Sequence, residues 1–130
     1  MEIPARHVRK GDCIIRDMVP GGRVLQGDAL RLPFRADAFG CLMACHFYGH
    51  LDEDARARFL AEARRVAERL FIVDAAWRED VQPEEVQERV LLDGSRHAVY
   101  KRYFTPARLA AEIGGARVVH SGRWFVAVMA

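Results

Sequence analysis

The chain has 130 residues, 51% of them hydrophobic, which suits one ordinary domain with a buried core and leaves little room for a second. With 20 basic and 18 acidic residues, the formal charge of +2 gives no case for nucleic-acid binding by bulk electrostatics. No apolar run reaches the ~18–20 residues of a membrane-spanning helix, and the opening "MEIPARHVRKGD" lacks the apolar stretch of a signal peptide, so a cytoplasmic location without membrane contact is expected.

The first segment, "PARHVRKGDCIIRDM", has weak helical character interrupted by Gly11, and "VPGG" then breaks the chain. "RVLQGDA" reads as a short strand, Arg23 to Gln26, stopping at Gly27. "LRLPFRADA" is a loop, because Pro33 and its small polar neighbours suit no regular element. "FGCLMACHF" is almost wholly apolar and too short for most helices; it has the pattern of a fully buried parallel strand, with Cys41 as a small core residue.

"DEDARARFLAEARRVAERL" predicts a helix. Asp52, Glu53 and Asp54 stand at the positive end of its dipole, and Phe59, Leu60, Ala63, Val66 and Ala67 recur at helical spacing. "LFIVDAA" follows as a second buried strand, and "QPEEVQERVLLD" as a helix with Pro83 near its first turn. "FTPARLAAEIGGA" carries helix signals at both ends: Thr105 as N-cap, Pro106 at the first helical position, Gly114 or Gly115 as stop. "ARVVHSG" and "RWFVAVMA" are strands joined at Ser121-Gly122, which predicts an antiparallel hairpin. The succession implies an α/β fold with a mostly parallel sheet and a C-terminal antiparallel hairpin. Ligands of such sheets bind at the carboxyl ends of the strands, here Gly27-Asp28-Ala29, Cys45-His46-Phe47 and Asp74-Ala75-Ala76.

"CLMACHFYGH" invites a metal reading, since it contains Cys-x3-Cys and His-x3-His. The arrangement argues against it. Cys45 and His46 are adjacent, and neighbours in a strand point to opposite faces, which disfavours both a shared metal and a Cys–His nucleophile pair. Three cysteines, Cys13, Cys41 and Cys45, form no disulfide framework and are expected as reduced thiols. The stronger reading gives the residues up to Ala44 to a core strand and Cys45 to His50 to the crossing into the next helix, where a ligand would sit.

The words "QGDALRLPFRADAFGCLMACHFYGHL" resemble the middle of a class I S-adenosylmethionine-dependent methyltransferase of the small-molecule type. Gly27-Asp28-Ala29, Leu32-Pro33-Phe34, Phe39, His46, His50 and Leu51 match that family's pattern in register. "FLAEARRVAERLFIVDAA", "YFTPARLAAEIGGARVV" and "RWFVAVMA" resemble its later helices and strands, so the likeness runs from about Val24 to Ala130. It implies a Rossmann-like methyltransferase sandwich, S-adenosylmethionine as cofactor and a small-molecule methyl acceptor. Under it, Asp28 accepts a hydrogen bond from the adenine amino group, the Ala29 backbone reads the neighbouring ring nitrogen, and Leu30 and Phe34 pack on the adenine faces. Cys45, His46 and Phe47 approach the methionine part, and His46 or His50 is the general base if the acceptor must lose a proton. By residue chemistry alone, Asp28 is equally an ordinary turn aspartate and His50 a structural residue entering the helix.

The chain departs from the family in several places. It contains no "DxGxGxG" loop; Pro20-Gly21-Gly22 reads as a turn; Gly40 replaces the family's aspartate after Phe39; and no "PGG" follows Val66. Glu2 stands at a plausible distance before Asp28 to be the acidic residue that binds the ribose hydroxyls, and the fold is then N-terminally truncated, beginning at the end of the second strand. The Phe39 strand would expose an apolar edge. That predicts oligomerisation through the edge, direct pairing with the Val24 strand, or a truncated product of a longer gene. Trp77, His97, Tyr100 and Tyr103 fall where related enzymes build an acceptor lid, although ordinary packing suits them too. "RHAVYKRYF" has three basic residues, too few for a nucleic-acid patch. Trp124 and Phe125 are expected in the core or on the hairpin face. Three functions stay open: a small-molecule methyltransferase, a non-catalytic remnant of that fold acting as an interaction or dimerisation module, and a metal-binding protein using Cys41, Cys45, His46 and His50.

Overall fold

A computed structural model describes residues 27–130. The weak first helix, the strand expected over 23–26, Cys13 and Glu2 lie outside the described residues. In chain order the elements are β1 (Phe39–Cys45), a 3-10 turn (Tyr48–His50), α1 (Glu53–Val66), β2 (Ala67–Ala75), β3 (Glu84–Val90), β4 (Arg96–Arg102), α2 (Pro106–Glu112), β5 (Arg117–Ser121) and β6 (Phe125–Met129).

Local chemistry sets both helices. The Asp52 side chain accepts from Ala55 N at 3.0 Å, satisfying a donor that α1 itself leaves unpaired, and Glu53 and Asp54 complement the dipole. Thr105 Oγ1 accepts from Arg108 N at 3.2 Å, and Pro106 opens α2. Beyond α2 the chain passes through Gly114 and Gly115, at φ 77° and 79°, the left-handed region where a Cβ would be strained.

Four strands form one sheet in the order β1-β2-β6-β5. β1 and β2 pair in parallel, with Cys45 opposite Val73, while β6 is antiparallel to both β2 and β5. Three strands thus run one way and β6 the other, as expected for the Rossmann-like sandwich closed by a hairpin. Both helices cover the same face. Ile72, Val126 and Val128 are wholly buried there, in one core with Phe59, Val66 and Leu109. Each large side chain buried in this way contributes about 1.5–3 kcal/mol. Arg64 Nη2 ties the helices together, donating to Ile113 O at 2.8 Å.

Two expectations need correction. β1 is not fully buried: it is the edge of the sheet among the described residues, and only Ala44 is buried. Leu42 and Ala44 face the core, whereas Phe39, Cys41, Met43 and Cys45 on the other face are exposed, Met43 to 65%. Cys41 is therefore not a core residue. A continuous apolar run signals a strand, but burial depends on neighbours that the run does not name. Among the described residues β1 is an apolar sheet edge.

The segment around Pro83 is not a helix. It is strand β3, paired antiparallel with β4 in a separate two-stranded ribbon. Glu and Gln favour helices weakly, and here cross-strand pairing overrides them. Glu84 Oε2 accepts from the Tyr100 hydroxyl at 2.7 Å and Arg96 donates to Glu88 at 2.6 Å. The turn between them uses Gly94 at φ 82°, with Leu91 N donating to Ser95 O at 2.9 Å. Trp124 and Phe125 are exposed, to 60% and 41%. Among the described residues no helix is long and apolar enough to cross a membrane.

Candidate functional site

The carboxyl end of β1 turns sharply. His46 adopts φ 51°, an uncommon conformation for a residue with a Cβ, and its N–H donates to Val73 O at 2.8 Å. Turn 45–47 is thereby fixed to the end of β2. Its three side chains go different ways: the Cys45 thiol is exposed, the His46 ring lies edge-on to Phe125 with centroids 6.4 Å apart, and Phe47 packs edge-on to Phe59 at 5.4 Å.

The Asp28 loop is built in two steps. Asp28 Oδ1 accepts from Leu30 N at 2.8 Å, and Asp28 O accepts from Arg31 N at 3.0 Å, so the aspartate folds its own turn. Helix α1 then holds that turn. Glu62 Oε2 accepts from Leu32 N at 2.8 Å, and the Arg65 guanidinium donates to Leu32 O at 3.0 Å and Phe34 O at 2.8 Å. The hydrogen bond from Arg65 holds the Glu62 carboxyl below its usual range. Ala29, Leu30 and Phe47 pack on one core cluster, which sets the Asp28 loop and turn 45–47 against the same hydrophobic mass. Phe34 lies edge-on to Phe39 at 4.9 Å. The second Asp28 oxygen and the Ala29 N–H have no partner among the described residues.

His50 faces the ribbon, with Nδ1 2.9 Å from Tyr100 O. Cys41, Cys45, His46 and His50 do not converge: among the described residues no group of three or more His, Cys, Asp or Glu is placed to hold a metal ion.

Two buried polar clusters brace this edge. Asp74 is fully buried and accepts from Lys101 Nζ at 2.6 Å, Gly49 N at 2.7 Å and Ala75 N at 2.7 Å. Nearby, Glu112 Oε1 accepts from the Tyr48 hydroxyl at 2.7 Å and from Arg56 Nε at 2.5 Å, and Arg56 Nη1 donates to Leu51 O at 2.9 Å. Burial, then the Glu112 hydrogen bond, pushes the Tyr48 phenol far above its usual range. Sequence reasoning noted Asp74 only as a strand end. Its signal was there: it is the one charged residue in "LFIVDAA". Nothing local to Arg56, Lys101 or Glu112 announced their partners.

Residues 9–69 match the family model described as a methyltransferase domain. No curated protein matches the sequence. Among solved structures, the DhpI–SAM–HEP complex is similar at 23% identity and a TM-score of 0.65, over 81% of this chain and 55% of that one. An S-adenosylmethionine-dependent methyltransferase from Aquifex aeolicus aligns at 18% identity and 0.54, over 82% and 53%. The 1,6-didemethyltoxoflavin-N1-methyltransferase of Burkholderia thailandensis aligns at 14% and 0.57, over 79% and 47%. The chain spans about half the length of these solved structures. The chain thus shares the fold of these solved methyltransferases, and its residues 9–69 are similar to a methyltransferase domain.

Proposed function

We propose that this chain binds S-adenosylmethionine at the Asp28 loop and turn 45–47 and serves methyl transfer to a small molecule. The observation that carries the reading is the half-used carboxylate of Asp28. One oxygen closes its own turn, and the other, beside an Ala29 N–H with no partner among the described residues, offers an acceptor–donor pair that fits the amino group and adjacent ring nitrogen of adenine. Solved neighbours carrying S-adenosylmethionine or S-adenosylhomocysteine support the choice of cofactor, and a toxoflavin-precursor and a glycopeptide methyltransferase support a small-molecule acceptor.

The cofactor, when bound, supplies a methyl group made electrophilic by its sulfonium. The protein's residues then have three tasks. Asp28 and Ala29 hold the adenine edge, with Leu30 and Phe34 against the ring and Glu2, outside the described residues, for the ribose hydroxyls. Cys45, His46 and Phe47 border the methionine end and exclude water from it. If the acceptor must lose a proton, His46 is the better base. Its backbone is fixed by the turn, and its ring nitrogens have no hydrogen-bond partner among the described residues. His50 is the second candidate, with Nδ1 already held at the Tyr100 carbonyl.

The other reading is a non-catalytic interaction or dimerisation module that joins copies through β1, the sheet edge among the described residues. The sequence lacks a glycine-rich loop, and Phe39 and Met43 are exposed on that strand. Calorimetric titration with S-adenosylhomocysteine, beside sedimentation analysis, separates the two. Saturable binding in the micromolar range supports the methyltransferase. Absence of heat from a chain that sediments as a dimer supports the module.

A further inference from the structure

Beside the end of the β3–β4 ribbon lies an open cavity of about 560 Å³ that none of the proposed cofactor residues line. Its wall has two chemistries. Trp77, Pro83 and Tyr103 supply flat apolar surface, and Arg102 and Arg108 supply two guanidinium groups, with no carboxylate among the lining residues.

Arg102 is the telling member. The residue is 8% exposed, and its Nε is buried with no hydrogen-bond partner among the described residues. Its ion-pair partner Glu84 lies 3.6 Å from Nη1, is 59% exposed, and already accepts from the Tyr100 hydroxyl at 2.7 Å; on that side Arg102 and Arg108 also border a cleft with Asp52, Glu53 and Glu112. A buried charged donor left unmade is costly, and native proteins seldom tolerate one without a use. A carboxylate, like a phosphate, matches the planar guanidinium fork with two oxygens, and the flat apolar wall beside it suits an organic acid rather than a bare phosphate. Arg108, exposed at the rim, adds a second positive charge. The Tyr103 hydroxyl is occupied by Glu85 and Gln87, at 2.9 Å each, so what it offers a ligand is its ring.

The cavity also stands at the right edge of the sheet. Trp77 follows β2 directly, and its N–H donates to Phe104 O at 2.9 Å, where the chain leaving β4 runs beside the end of β2. Turn 45–47 is hydrogen-bonded to that same strand through Val73. We infer that this cavity holds the methyl acceptor and that the acceptor is a small organic acid, its carboxylate on Arg102 and Arg108 and its flat apolar body against Trp77, Pro83 and Tyr103. The acceptor role rests on the methyltransferase reading above; the organic-acid site does not.

The test uses benzoate and its neutral counterpart benzamide on the whole chain. The chain has two tryptophans, so a Trp124→Phe background lets Trp77 fluorescence report alone, with calorimetry alongside. Benzoate should bind at least about tenfold more tightly than benzamide, the difference one charge-assisted contact makes. Arg108→Gln, at an exposed position, should weaken benzoate about fivefold or more and leave benzamide unchanged. Equal binding of the two probes, no binding of benzoate, or benzoate affinity unaltered by Arg108→Gln overturns the site. S-adenosylhomocysteine titrated into the same preparation keeps the two ideas apart. Benzoate binding without nucleoside binding removes the methyl-acceptor role and keeps the acid site; the reverse removes this inference alone.

Discussion

Lys101 Nζ lies 2.6 Å from Asp74 Oδ1 in the interior, with side chains 7% and 0% exposed. The pair joins β4 to the end of β2, and the other Asp74 oxygen accepts from Gly49 N, so one carboxylate fastens ribbon, sheet and 3-10 turn.

Such a pair is worth most when one partner is removed. Lys101→Met leaves the Asp74 charge buried without its counterion and should cost about 3–5 kcal/mol of unfolding free energy. Lys101→Met combined with Asp74→Asn should recover part of that loss, because the stranded charge is gone. Urea denaturation of the two variants checks this; equal losses would show that the charge itself is not the issue.

Gly49 is glycine for space. A Cβ there would stand 2.7 Å from both Asp74 Oδ1 and Arg102 O, one held by an ion pair and the other backbone, so neither can yield cheaply. Gly49→Ala should therefore destabilise by about 1–3 kcal/mol, as overpacking does. Gly40→Ala, with nothing within 4 Å of its Cβ, should be nearly neutral. Thermal melts of the two variants compare them.

The Tyr48 phenol titrates above its ordinary 10.0 in the folded chain, through burial and then the Glu112 hydrogen bond. The folded state thus keeps a proton that the unfolded state releases. This contribution is intact below pH 10 and is lost as pH rises above it, at about 1.4 kcal/mol per pH unit while only the unfolded chain ionises. Tyr48→Phe should flatten that alkaline decline. It should not abolish it, because burial also raises Tyr100 and Tyr103. Unfolding free energies between pH 8 and 11 give the slope.

What the sequence revealed follows the range of the forces involved. Asp52, Thr105 and Pro106 act on their own helices, within a turn, and both helices were legible from them. Strand β3 was not, because its identity comes from partners such as Tyr100 and Arg96, which lie across a turn in another strand. Asp28 stood out in the sequence by its residue type within Gly27-Asp28-Ala29. Its anchoring could not, since Glu62 reaches Leu32 across 30 residues and Arg65 reaches Phe34 across 31. Arg102 looked like one basic residue in a polar stretch, and only the folded ribbon shows its guanidinium enclosed.

That anchoring has a functional corollary. Glu62→Gln keeps the shape of the side chain but removes the charge that orders Arg65 and accepts from Leu32. Because the Glu62–Arg65 pair lies at the surface and is screened by solvent, the change should leave global stability little altered. If the loop binds the nucleoside, its affinity for S-adenosylhomocysteine should still fall several-fold, because the ordering then has to be supplied on binding. Calorimetry on the variant reads both the affinity and its enthalpy.

The most direct measurement is the affinity of S-adenosylhomocysteine for the wild-type chain, Asp28→Asn and Asp28→Ala. A micromolar dissociation constant should weaken about tenfold or more in both variants, since the amide loses the charged acceptor and alanine loses the acceptor altogether. Binding that is equal in all three chains, or absent from the wild type, would contradict an adenine site at Asp28.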